Sequence, residues 1–196
     1  MKNYFKATKQ NIDIAIKNLN NKKIIIHSTD TIPGIAVDAT SEEAVQNLID
    51  LKGRAGPYSI IVKSINEISK YALLNQDVLN KIEQILPGPF TILLKNNNHN
   101  NLAKLTLGGS KLIGFRIPSH DFTQLLASKF KRPMITTSLN ITGEQSIIDL
   151  KTIGNHFKEL VIFDDDNKKL SKGSTIIDFS SKELKIIRRG DGSYLL

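Results

Sequence analysis

The chain has 196 residues, 40% of them hydrophobic and 23% charged, enough for one domain with a sizeable core. It contains no cysteine, which excludes disulfides, a thiolate nucleophile and any cysteine metal site. Twenty-seven Lys and Arg against 19 Asp and Glu give a net charge of +8. That balance favours polyanionic partners such as nucleotides or RNA, although the abundance of Lys, Asn and Ile also fits AT-rich codon usage.

In chain order, Ile12, Ala15, Ile16 and Leu19 share one face and predict a helix over residues 8–20. The β-branched run 23–27 reads as a strand, and after the Pro33-Gly34 turn residues 35–37 read as another. Ser41 can cap a helix that turns Ala44, Val45, Leu48 and Ile49 inward and ends near Lys52. A strand over 58–62 and helices over 65–73 and 77–86 follow, the last stopped by Pro87-Gly88-Pro89. Residues 90–95 form a strand leading into the polar tract 96–101, expected as an exposed, mobile loop. Residues 112–117 read as a strand, 120–130 as an amphipathic helix, 134–137 as a buried strand and 149–157 as a helix. Strands over 160–163, 174–179 and 185–188 complete the series. Strands alternate with helices early and cluster late, so the expectation is a single α/β domain over residues 1–196 with a mixed sheet. No apolar run approaches the roughly 20 residues of a membrane span. The start, Met1-Lys2-Asn3-Tyr4-Phe5-Lys6, is too polar for a secretion signal, so a cytoplasmic protein with no membrane partner is expected.

Two short segments carry the chemistry. Lys52-Gly53-Arg54 places two cations at the end of a helix, suited to an anionic ligand. Ser138-Leu139-Asn140 places a hydroxyl and a carboxamide two residues apart, suited to hydrogen bonding a nucleotide or its phosphates. Neither pair is specific alone, since charged residues mostly sit on surfaces. Other signals are absent. There is no Gly-x-x-x-x-Gly-Lys-Ser/Thr, and Leu107-Gly108-Gly109-Ser110-Lys111 imitates it without the spacing. Asp164-Asp165-Asp166 reads as a solvated turn rather than a metal cluster. His27, His99, His120 and His156 have no metal-ligand spacing, and no Ser-His-Asp set can be read from them.

Several segments nevertheless fall in one recognisable order. These are Ser28-Thr29-Asp30-Thr31-Ile32-Pro33-Gly34, Lys52-Gly53-Arg54 and Pro87-Gly88-Pro89-Phe90-Thr91, then Gly114-Phe115-Arg116-Ile117-Pro118. Thr136-Thr137-Ser138-Leu139-Asn140-Ile141-Thr142-Gly143, Gly173-Ser174-Thr175-Ile176-Ile177-Asp178 and Ile187-Arg188-Arg189-Gly190 complete the set. From about Asn11 to Gly190 the chain resembles the YrdC/TsaC family, the threonylcarbamoyl-AMP synthases, in their single-domain form. The resemblance implies an open, twisted mixed sheet with flanking helices and a basic concave cleft. It also implies a reaction in which L-threonine, bicarbonate or CO2, and ATP give threonylcarbamoyl-AMP and pyrophosphate. Downstream proteins then transfer the threonylcarbamoyl group to tRNA beside the anticodon.

Carried over residue by residue, the resemblance makes Lys52 and Arg54 catalytic. It assigns threonine binding to Thr31, Arg116, Thr136 and Ser174, and ATP binding to Lys52, Arg54, Ser138, Asn140, Ser146 and Arg188. An arginine beside a strand end can grip a carboxylate as a planar bidentate donor. Phosphoryl chemistry runs mainly on positioning and electrostatics, so cations matter more than a covalent nucleophile. Mg2+ is expected with the triphosphate, held by phosphates and water, with no dedicated carboxylate cage.

Four positions depart from the family pattern. Leu139 replaces an alanine and can narrow the pocket or point into the core. The stretch Ala55-Gly56-Pro57-Tyr58 is about two residues short, which puts a contact from Gly56 in question. Ile61 stands where many relatives have a pocket histidine, and Leu112 where a hydroxyl is common. Tyr58-Ser59 and Leu139 are also similar to YciO-like paralogues. A competing reading is therefore an RNA-binding module that grips tRNA or double-stranded RNA without making an adenylate. The chain is 6% aromatic and lacks tryptophan, which supplies base stacking poorly. A carbamoyl-phosphate-using relative is expected only in a much longer chain.

Overall fold

Alternation along the strands decides which side of the sheet each residue takes. Ile26, Ile35, Val37, Ile60, Ile135 and Ile162 join one hydrophobic cluster, whereas their neighbours Ile25, Ala36, Ile61, Met134 and Phe163 join another. The chain thus forms a twisted sheet with a core on each face. The computed structural model describes residues 3–140, 146–152, 157, 159–167 and 169–194. The motif positions 141–143, and His156, lie outside the described residues.

The strands are β1 (Tyr4–Lys6), β2 (Ile25–His27), β3 (Gly34–Asp38), β4 (Ser59–Ile61), β5 (Phe90–Lys95), β6 (Leu112–Arg116), β7 (Met134–Ser138), β8 (Val161–Asp164), β9 (Thr175–Asp178) and β10 (Lys185–Arg188). They lie in the order β1-β8-β2-β3-β7-β4-β6-β5-β9-β10. The sheet is mixed: β1/β8, β2/β8, β4/β6 and β5/β9 run parallel and the other neighbours antiparallel. The α-helices are α1 (Ile12–Asn20), α2 (Glu42–Lys52), α3 (Ile65–Ile68), α4 (Gln76–Ile82), α5 (Lys104–Leu107) and α6 (Asp121–Phe130). Buried residues of α1 and α6 pack on the face of Ile25, Ile61 and Met134, while those of α2, α3 and α4 pack on the opposite face.

Helix α2 starts as its sequence dictates. Ser41 is extended and its hydroxyl accepts the Ala44 N–H, while Glu42 and Glu43 occupy the positive end of the dipole. It stops at Gly53, whose φ of 69° costs other residues energy but not glycine, leaving Lys52 in the last turn.

Several expectations are corrected. The helices expected over 65–73 and 77–86 are shorter, Ile65–Ile68 and Gln76–Ile82. Within 149–157 the described residues form only a 3₁₀ turn, Leu150–Thr152. Strand β1 and helix α5 had no clear periodicity, being too short to show one. The tract 96–101 is not structureless: Asn100 donates to Asn96 and Asn97 side chains and to Tyr71 O, and Asn97 donates to Lys70 O. Nor is 164–166 a merely solvated turn, because Asp164 is buried and accepts from Tyr4 and Ser28. None of the helices is long and apolar enough to cross a membrane among the described residues.

Candidate active site

Register places Ser59, Gly114, Arg116, Thr136 and Ser138 on the face that carries Ile61 and Met134, the face of α1 and α6. A cavity of about 390 Å³ opens there. Strands β4, β6 and β7 supply its floor, the loop before β3 supplies Thr31 and Ile32, and the segment entering β9 supplies Lys172, Gly173 and Ser174. Two glycines clear the floor. A Cβ on Gly34 would lie 2.3 Å from Thr136 Cγ2, and one on Gly114 would lie 2.4 Å from Ser59 Oγ. Side chains of the adjoining strands occupy the space that each glycine leaves.

Of the expected residues, Thr31, Arg54, Arg116, Thr136, Ser138, Ser146, Ser174 and Arg188 all line this one cavity. Arg116 is 7% exposed. Its Nη2 donates to Asp30 Oδ1 at 2.7 Å and to Thr31 Oγ1 at 3.2 Å. Its Nε is the one buried side-chain nitrogen or oxygen without a hydrogen-bond partner among the described residues. An unpaired buried N–H costs on the order of 1–3 kcal/mol, a cost that an acceptor bound beside it would relieve. Burial pulls the Arg116 guanidinium below its ordinary pKa, and Asp30 pushes it back up.

Lys52 takes a different place. Its side chain is 2% exposed and does not line the cavity. The ammonium instead donates to Ser138 O at 2.8 Å, Asn140 O at 2.9 Å and Asn140 Oδ1 at 3.1 Å. Ser138 Oγ donates to the same Asn140 Oδ1 at 2.7 Å. The two motif pairs, far apart in sequence, therefore meet, with Arg54 and Ser138 in the described lining and Lys52 and Asn140 next to it. Burial, with a smaller push from Arg54, lowers the Lys52 pKa to about 8. Arg54 itself is exposed at the rim, 5.8 Å above the Tyr58 ring.

On the far wall, Arg188 donates to Ser174 O at 2.8 Å and to Ser174 Oγ at 3.1 Å. Ser174 Oγ lies 2.7 Å from Thr91 Oγ1, so Thr91 belongs to the site although its motif drew attention only as a strand entry. Pro57, Tyr58, Ser59, Thr137 and Lys172 also line the cavity and were not singled out for roles there. Among the described residues its lining includes Arg54, Arg116, Lys172 and Arg188 but no carboxylate. Among the described residues no group of three His, Asp or Glu is placed to hold a metal. Leu139 is fully buried in the core, so it does not narrow the cavity, and Ile61 is likewise a core residue. A second hollow of about 780 Å³ lies along the β1 edge, away from these groups.

Comparison with known proteins follows the same lines. The family model for Sua5, YciO and YrdC, described as telomere recombination, matches residues 17–190. A Methanocaldococcus jannaschii protein, named provisionally as a threonylcarbamoyl-AMP synthase, is 34% identical over 186 residues, which is 93% of this chain and 86% of that protein. The P. abyssi Sua5 structure complexed with L-threonine superposes with a TM-score of 0.82 at 23% identity, covering 95% of this chain and 56% of that one. E. coli YciO superposes with a TM-score of 0.84 at 21% identity, covering 97% and 95%. At these identities the two structures show a shared fold.

Proposed function

This chain belongs to the Sua5/YciO/YrdC family, and from that premise we propose that its cleft makes threonylcarbamoyl-AMP, an adenylate, from L-threonine, bicarbonate or CO2, and ATP. The observation that carries the reading is the buried Arg116, its Nε unpaired, in a cavity whose described lining has four cations and no carboxylate. A planar guanidinium with an open N–H suits the carboxylate of an amino acid. The remaining cations suit a triphosphate.

Chemically, the substrate amine in its free-base form attacks CO2, forming the N–C bond and releasing one proton. A carbamate oxygen then attacks the α-phosphorus, the Pα–O–Pβ bond breaks, and pyrophosphate leaves with the electron pair. Starting from bicarbonate, that proton is consumed in its dehydration, and one water leaves in its place. This is nucleotidyl transfer, and negative charge accumulates on carbamate and phosphates throughout. Arg54, at the rim and exposed, is the catalytic cation. Lys52 acts as a positioning residue, tying Ser138 and Asn140 to the end of α2. Thr31, Thr136 and Ser174 offer hydroxyls to threonine, and Ser138, Ser146 and Arg188 contact the nucleotide. Asn140 belongs to the nucleotide side through its bond from Ser138. Mg2+ enters as part of the MgATP substrate, held by phosphate and water. The product passes to threonylcarbamoyl-transfer proteins acting on tRNA.

The test is pyrophosphate release from ATP and bicarbonate, with and without L-threonine, and with L-serine as the specificity control. Threonine-dependent release supports the reading. Salt-sensitive binding of tRNA or double-stranded RNA with no release supports the RNA-binding module instead. Among the described lining residues Tyr58 alone carries an aromatic ring, a poor platform for stacked bases.

A further inference from the structure

His27 has no role in the chemistry above, yet it is fully buried at the end of β2, directly behind the threonine corner of the cleft. It pairs in register with Gly34, which pairs with Ser138. Thr136 Cγ2 fills the space that a Cβ on Gly34 would take, and His27 Nε2 lies 3.3 Å from Thr136 Oγ1.

The direction of that bond follows from the other ring nitrogen. Nδ1 is 2.8 Å from Ser28 O, a carbonyl that can only accept, so Nδ1 carries a proton. Burial, with smaller contributions from His120 and Arg116, pushes the ring down to about 4, so it holds one proton at neutral pH. Nε2 is then a bare acceptor, and Thr136 must donate to it. A second layer fixes the ring. Thr123 Oγ1 lies 3.3 Å from Nδ1, 3.2 Å from Ser28 O and 2.9 Å from His120 Nδ1, to which it donates. The Thr123 N–H donates to His120 Nδ1, so the His120 Nε2 proton faces Asp165 Oδ2 at 3.0 Å.

A hydroxyl has one proton, and this one is committed away from the cleft. We propose that His27 is a positioning residue that turns the Thr136 hydroxyl into a pure acceptor toward the cleft, so that this corner takes the amino group of the amino-acid substrate while Arg116 takes its carboxylate. The assignment rests on the threonine reading above and deepens it. An acceptor engages an amine through N–H and leaves the nitrogen lone pair free for CO2. A hydroxyl donating into the cleft would occupy that lone pair.

The test combines imidazole 15N NMR of the wild type with calorimetry of L-threonine on H27F, T136V and the double variant. The Nδ1–H tautomer of His27 between pH 6 and 8, together with roughly three- to tenfold weaker threonine binding in H27F, supports the inference. So does a double variant no weaker than T136V alone, since His27 acts only through that hydroxyl. The Nε2–H tautomer, additive losses, or unchanged binding in H27F overturns it. Failure of the wild type to bind L-threonine overturns the parent reading instead, and the NMR result still decides the hydroxyl's direction.

Discussion

Replacing Lys52 by methionine keeps the length of the stem and deletes the ammonium that joins α2 to the Ser138–Asn140 turn. Its bonds at 2.8, 2.9 and 3.1 Å are charge-assisted, each worth about 1.5–3 kcal/mol against water. Against them stands the cost of burying a cation at 2% exposure, visible in a pKa lowered to about 8. Methionine recovers that cost and packs the stem, so the net loss is on the order of 2–3 kcal/mol. For a chain of this size that corresponds to roughly 5–10 °C in melting temperature. With the turn released, the KM for ATP rises while threonine affinity is kept. Thermal melts and steady-state pyrophosphate release read both quantities. A K52M protein that melts within about 1 °C of wild type and keeps its KM for ATP refutes the positioning role. The companion variant Arg54→Ala has the opposite signature, an unchanged melt with adenylate formation abolished, because Arg54 is exposed at the rim.

Three further outcomes are expected. Asp30→Ala strips the partner from a buried guanidinium whose ion pair is 2.7 Å long, and costs about 3–5 kcal/mol in denaturant unfolding; Asp30→Asn, which keeps an acceptor, costs less. Gly34→Ala drives a Cβ to 2.3 Å from Thr136 Cγ2, costing about 1–3 kcal/mol and weakening L-threonine binding by calorimetry. The His27 ring stays neutral in the fold down to about 4 but has a value of 6.5 when unfolded. The unfolded chain therefore takes the proton first as pH falls. The His27 contribution is complete above about 6.5, falls by up to roughly 3 kcal/mol toward pH 4 and is flat below. Denaturant titrations across that window show the slope in wild type and lose this component in H27F.

The sequence makes the site's inventory legible because the family's polar residues stand at element ends, where turns and caps announce themselves. Thr31 precedes a Pro-Gly turn, Arg54 follows a glycine-stopped helix, and Ser174 follows a glycine. What stayed hidden depends on contacts between distant segments. Lys52 reads as a second ligand-facing cation until the fold brings Ser138, 86 positions further along, over it. The His27–Thr123–His120–Asp165 array spans α6 and two strands, and no spacing rule relates its members. The asparagine tract reads as disordered by composition, yet its amides satisfy one another and the backbone around Tyr71. Short elements escaped for a different reason: three or four residues, as in β1 and α5, carry less than one informative period.

The central claim, that one cleft joins an amino acid to an adenylate through a carbamate, is tested most directly by mass spectrometry of the products formed from 13C-bicarbonate, ATP and L-threonine. The expected result is an adenylate carrying both the threonine mass and the heavy carbon, formed in step with pyrophosphate and lost in Arg54→Ala. Unlabelled products, or pyrophosphate released at the same rate without threonine, would contradict it.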